Sequence, residues 1–182
     1  MTSKAAKFAA LAAALYAVHQ VADHLTGQTD PQAAHKCDPG PDGTRACLGH
    51  VLQYTAHTAG AVLVLNKALR LGITPAGFVV GQAVSAVTHY WADRDRGRLA
   101  RLSAKLGSPV FPSLGKPREN IRAYVKTSGG EELPVHVVSI GKNGAEEPTS
   151  FDNPSLGTGG YAIDQAWHIG ALALAALATA LI

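Results

Sequence analysis

Residues 73–93 read ITPAGFVVGQAVSAVTHYWAD, and nothing before Asp93 carries a formal charge. Gln82, Ser85, His89 and Asp93 recur at three- and four-residue intervals, which lays them along one face of a helix. The remainder is mostly small or apolar. A buried helix of a soluble bundle normally keeps a charged outer face, and this segment has none. It reads as a helix with lipid outside and a polar stripe turned inward.

Three further stretches, 8–21, 51–65 and 166–182, are equally free of Asp, Glu, Lys and Arg. With 73–91 as the fourth, they run from 14 to 19 residues, against the roughly 20 that a hydrocarbon core requires. Each spans only if its polar end lies within the bundle. Ala and Gly dominate them, and small residues let helix backbones approach closely. The composition agrees: 47% hydrophobic but only 16% charged, below the ~25% charge of an ordinary soluble domain. A disordered chain, a disulfide-dense secreted domain (two Cys) and a polybasic nucleic-acid arm (net charge +3) are excluded.

The expected fold is therefore all-α: a four-helix up-and-down transmembrane bundle, residues 1–182 forming one membrane domain. A long polar loop separates the third and fourth helices, with 106–155 as an insertion. Within it, 121–126 and 135–140 alternate or run β-branched around TSGGEELP and read as a small β-hairpin. The first helix has the basic start and Ala-rich body of a secretion signal. Its polar end (AVHQVADHL) is no cleavage region, so it reads as a retained helix. With the N-terminus inside, four basic residues (Lys4, Lys7, Lys67, Arg70) would be cytoplasmic and twelve outside. The positive-inside rule reverses that: both termini are expected outside and both long loops in the cytoplasm, in a multi-pass cell-membrane protein. Its first partner is the bilayer, and helices this short also admit a homo-oligomer.

Three His/Asp pairs stand at i, i+4: His19 with Asp23, His89 with Asp93, and Asp164 with His168. Random placement of eight His and eight Asp gives about 0.7 such pairs at helical spacing. Each pair closes or opens an apolar stretch, and in an up-and-down bundle those ends share one side. Ionisable groups so close to hydrocarbon usually face inward with partners. These six are the candidate ligands of a divalent metal (zinc, iron or manganese), since imidazole and carboxylate suit all three. His50, Tyr54, His57, Gln82 and Gln165 are candidate supporting residues. A metal-free hydrogen-bond network and side chains wetted by headgroup water stay open beside the metal.

Several sequence patterns also resemble a known group. These are H-x-x-x-D-H-x-x-x-Q (His19, Asp23, His24, Gln28), then Ala34, Lys36, His50 and His57, T-H-x-x-x-D (Thr88 to Asp93) and D-Q-x-x-H (Asp164 to His168). Together they resemble an uncharacterised family of small multi-pass membrane proteins of bacteria and phages, a domain of unknown function. The likeness covers 15–60, 80–98 and 158–182. It implies a membrane location and a shared polar motif, but no activity. Some members are labelled transcriptional regulators; no recognition helix or basic reading face supports that here. A looser similarity leads to membrane-bound metal-dependent hydrolases.

Three functional classes follow. The first is a membrane protein with an inward His/Asp metal site near the cytoplasmic interface, extending to a hydrolase in which metal-bound water attacks a phosphate or ester bond and a spare Asp acts as base. The second is a non-enzymatic membrane protein whose network is structural or partner-binding. The third is a soluble DNA-binding regulator. Cys37 and Cys47 offer free thiols, a disulfide or, with His35 and His50, a second zinc site. Arg94, Arg96 and Arg98 follow the third helix; they either anchor it near headgroups or hold a phosphate-bearing ligand. His136 reads as structural or exposed.

Overall fold

The computed structural model describes residues 2–26, 28–95, 97–113, 118–119, 123–135, 139–140, 146–147, 150–151 and 159–182. They form two compact units, Met1–Leu102 with Asp164–Ile182, and Ser103–Ile163.

The first unit opens with α1 (Lys4–Val21), where the Ser3 side chain accepts the Ala6 amide as an N-cap. The helix widens into a π-type turn over Ala22–Thr26. Next comes α2 (Asp30–His35), started by a reciprocal Thr29/Gln32 capping box, which satisfies amides a helix start leaves unpaired. α3 (Gly40–Ala68) is the longest helix, and α4 (Pro75–Asp93) begins at a Thr74 cap. Between them Gly72 adopts φ +64, a conformation glycine takes without steric cost. α5 (Arg98–Lys105) carries the chain into the second unit, and α6 (Gly159–Leu181) returns it.

Helix directions follow from contacts at two poles. Lys4 Nζ donates to the Leu181 carbonyl (3.0 Å) and Lys7 Nζ to that of Gly72 (2.8 Å). The start of α1, the α3–α4 turn and the end of α6 thus meet at one pole. At the other, His19, His50, His89 and His168 bring together the end of α1, early α3, the end of α4 and early α6. The four long helices alternate in direction.

Leu11, Leu15, Val62, Leu172 and Ala176 are buried between them. α4 meets α6 through glycine. A Cβ on Gly77 would stand 2.8 Å from the Thr179 carbonyl oxygen; one on Gly81 would stand 3.0 Å from that of Ala175 and 1.8 Å from Thr179 Oγ1. Backbone oxygens cannot rotate aside, so Gly77→Ala and Gly81→Ala should each cost about 1–3 kcal/mol by overpacking. Gly60→Ala, with nothing within 4 Å, should be neutral or stabilising in an unfolding titration in detergent. Equal midpoints for all three variants would contradict this packing.

The outward faces are apolar. Leu52, Leu63 and Val64 on α3, Val79 and Val87 on α4, and Leu174 on α6 are all more than half exposed. Among the described residues one segment, Lys4–Thr26, is long and apolar enough to cross a membrane by length and composition. The other long helices fall short for a legible reason: α4 carries Gln82, Ser85 and His89, and α6 includes Asp164, Gln165 and His168.

In the second unit the described strands pair antiparallel. β1 (Arg118–Glu119) pairs with β6 (Ser150–Phe151), β2 (Ala123–Lys126) with β3 (Glu132–Val135), and β4 (Ser139–Ile140) with β5 (Glu146–Glu147). The β2–β3 hairpin closes tightly, the Thr127 amide donating to the Glu131 carbonyl at 2.8 Å with Gly130 at φ +84. Its returning strand therefore starts at Glu132, ahead of the expected 135–140. His136 lies outside the described residues.

Candidate metal centre

The site is assembled from four helices, the ends of α1 and α4 and the third turns of α3 and α6. α1 supplies His19, and the π-type turn supplies Asp23, whose Oδ2 lies 3.3 Å from His19 Nδ1. α3 supplies His50, α4 supplies His89 and Asp93, and α6 supplies Asp164 and His168. All four imidazoles are at most 2% exposed.

Three donor atoms form a compact triangle. His50 Nε2 and His89 Nε2 are 2.9 Å apart, and Asp93 Oδ2 lies 3.1 and 3.2 Å from them. Ligands about 2.0–2.2 Å from one ion, at tetrahedral or octahedral angles, stand roughly 2.9–3.5 Å from each other. The triangle has the edges of a two-histidine, one-carboxylate facial set. Two further groups have their donors within 4.8 Å of one another, His19 with Asp23 and His89, and Asp93 with Asp164 and His168. His89 and Asp93 are shared between groups.

The protonation pattern suits an ion as well. His168 Nδ1 donates to the Asp164 backbone carbonyl at 2.8 Å, which leaves the lone pair on Nε2. That Nε2 faces Asp93 Oδ1 at 3.7 Å and has no hydrogen-bond partner. Both His19 ring nitrogens, Asp23 Oδ1 and His89 Nδ1 are buried in the same condition. Each unsatisfied buried group costs about 1–3 kcal/mol, so a bound ion or water at this place would lower the energy. Tyr54 stacks on His89 at 4.0 Å between ring centroids and accepts the Ser85 hydroxyl at 3.4 Å, fixing the imidazole plane.

A cation from the first loop completes the arrangement. Lys36 Nζ lies 2.8 Å from Asp93 Oδ2, with side chains 20% and 5% exposed. Burial alone would lower the lysine pKa, but the Asp93 carboxylate holds it above its ordinary value. Burial would likewise raise Asp93; hydrogen bonds from His50 and His89 and the nearby Lys36 charge pull it far below the carboxylate range. Asp164, at 38% side-chain exposure the most open of the three carboxylates, is raised by burial.

The remaining sequence candidates sit as follows. His57 bonds Thr26 Oγ1 (3.1 Å) and the Gln53 carbonyl (2.7 Å), apart from the three donor groups. Gln82 accepts from Thr58 across α3 and α4 (2.9 Å), and Gln165 accepts from Gln20 across α1 and α6 (3.2 Å). Cys37 and Cys47 are free thiols. Cys37 donates to the Asp93 carbonyl at 3.0 Å, and burial pushes the Cys47 thiol up to about 11, so it is protonated at neutral pH. Arg94 donates to the Gly40 carbonyl and Thr44, both at 3.2 Å. Arg98 lies over the Trp91 ring at 5.0 Å; Arg96 is outside the described residues. Trp91 in turn packs on Trp167 at 4.6 Å, and Trp167 Nε1 donates to the Thr88 carbonyl at 3.2 Å.

Sequence spacing placed His50 only in support, because its carboxylate partners lie on other elements. It gave Lys36 no role at the cluster, since a lysine in a polar loop carries no sign of burial. Comparison with models of known families, with curated proteins and with solved structures finds no match for this chain.

Proposed function

We propose that this is an integral membrane protein whose helices, crossing at 8–21, 51–65, 73–91 and 166–182, enclose a divalent-metal site. One observation carries the reading. Seven imidazole and carboxylate side chains from four helices converge at one level, in a unit whose outward faces are leucine and valine. Water-soluble proteins distribute these residue types the other way, whereas intramembrane ionisable groups turn inward and pair. Membership of the multi-pass family that the motifs resemble belongs to the same proposal, as does an orientation with both termini outside.

The chemistry that such donors support is metal-dependent hydrolysis of a phosphate or ester bond entering from the headgroup layer. Asp164, the most water-exposed of the three carboxylates, is the natural base, and Arg94, Arg96 and Arg98 are the candidate contacts for the phosphate. The rival is a purely structural network, favoured by the short His50–His89 contact.

Fractionation followed by elemental analysis separates these readings. The protein should stay with the membrane after alkaline washing, and detergent-purified protein should contain near-stoichiometric zinc, iron or manganese. His89→Ala should lose that metal and His57→Ala should keep it. Recovery in the soluble fraction would end the membrane reading; a folded, metal-free protein would leave the structural network.

A further inference from the structure

We infer that Lys36 holds the place of a second cation, so that the cluster takes one divalent ion rather than two. The inference rests on the metal reading above and concerns how many ions that site accepts.

Donors are in excess of what one ion uses. His19, Asp23, His50, His89, Asp93, Asp164 and His168 make seven, in three overlapping groups. A zinc-like ion takes four ligands and an octahedral ion six. A surplus of this kind usually means two metals, often sharing a carboxylate, and Asp93 is placed to share: Oδ2 faces His50 and His89, and Oδ1 faces His168.

Charge decides against the second ion. The cluster has three carboxylates, and among the described residues Lys36 is the lysine or arginine that reaches one of them. With neutral imidazoles, one divalent ion and the Lys36 ammonium balance three negative charges. Two divalent ions beside that ammonium leave a double positive excess in a buried site, where uncompensated charge is costly.

The lysine is held there by its own segment. Gln28 Nε2 donates to the Asp23 carbonyl (2.9 Å) and Cys37 Sγ to that of Asp93 (3.0 Å). The capped α2 spans the interval between these two anchors. Both ends of the loop are thus tied to the backbone of site residues, and Lys36 Nζ is presented to Asp93 Oδ2 rather than to water.

The test is the zinc count of the full chain in detergent, loaded with Zn²⁺ alone and desalted. Wild type and Lys36→Arg should hold one zinc per chain and Lys36→Met two. Two in wild type would overturn the inference while leaving the metal site intact, and that measurement needs no variant to fold. One in Lys36→Met, with wild-type elution on size exclusion, would also overturn it. Zinc absent from all three proteins would remove the metal reading itself.

Discussion

Asp93→Ala is expected to destabilise the protein by about 3–5 kcal/mol, the usual cost of removing one partner from a buried ion pair. Asp93 Oδ2 receives Lys36 at 2.8 Å and stands within 3.2 Å of both His50 and His89. Its removal strands an ammonium whose side chain is only 20% exposed. Asp93→Asn keeps an oxygen acceptor and should cost less, about 1–3 kcal/mol. Adding Lys36→Met to Asp93→Ala should recover part of the loss, a coupling that a double-mutant cycle reads directly. Above neutral pH the effect should also be flat. Lys36 titrates above its ordinary 10.5, so its contribution is complete below that value and is lost only as pH rises through the higher folded value. Asp93 titrates below its ordinary 3.8, so its contribution is complete above that value and fades only as pH falls below it. Between about pH 7.5 and 9, above the range in which the neighbouring Asp23 carboxyl titrates, the penalty should not change. A penalty under 1 kcal/mol, or one that varies across that window, would contradict the pairing described.

The second large effect concerns the ion. Protein stripped with a chelator and then titrated with Zn²⁺ should gain about 4 kcal/mol of stability when free zinc reaches a thousand times its dissociation constant. The physical source is the set of donors gathered in three groups, some of which, such as Asp23 Oδ1 and His168 Nε2, are buried without a hydrogen-bond partner. An ion satisfies donors of this set only in the folded chain, so binding and folding share one free energy. His89→Ala, which removes a residue common to two of the three donor groups, should abolish most of the gain. His57→Ala should retain it, because that ring is occupied by Thr26 and Gln53. Equal gains in both variants would place the zinc elsewhere.

Much of the site could be read from spacing. His19 with Asp23, His89 with Asp93 and Asp164 with His168 are local relationships fixed by the helical repeat, and each pair lies within 3.5 Å in the structure. What spacing could not supply is convergence between elements. His50 has no carboxylate one turn away, and its contacts to His89, Asp93 and Asp23 cross two helical junctions. Lys36 is farther still from legibility, since its burial comes from a loop tied down by Gln28 and Cys37. The all-helical character of the first unit followed from charge-free stretches. The boundaries of the hairpin did not, because the tight Thr127–Glu131 closure outweighs the β-branched run at 135–140 in setting where the second strand begins.

The indole contact between Trp91 and Trp167 has a practical consequence. These are the chain's two tryptophans, one just before Asp93 and the other adjacent to His168, joining α4 to α6 at 4.6 Å. All tryptophan emission therefore originates beside the cluster, with no background from elsewhere in the polypeptide. Rings this close couple their electronic transitions, so near-ultraviolet dichroism is a label-free gauge of the separation between these two helices. The molecule carries its own optical ruler.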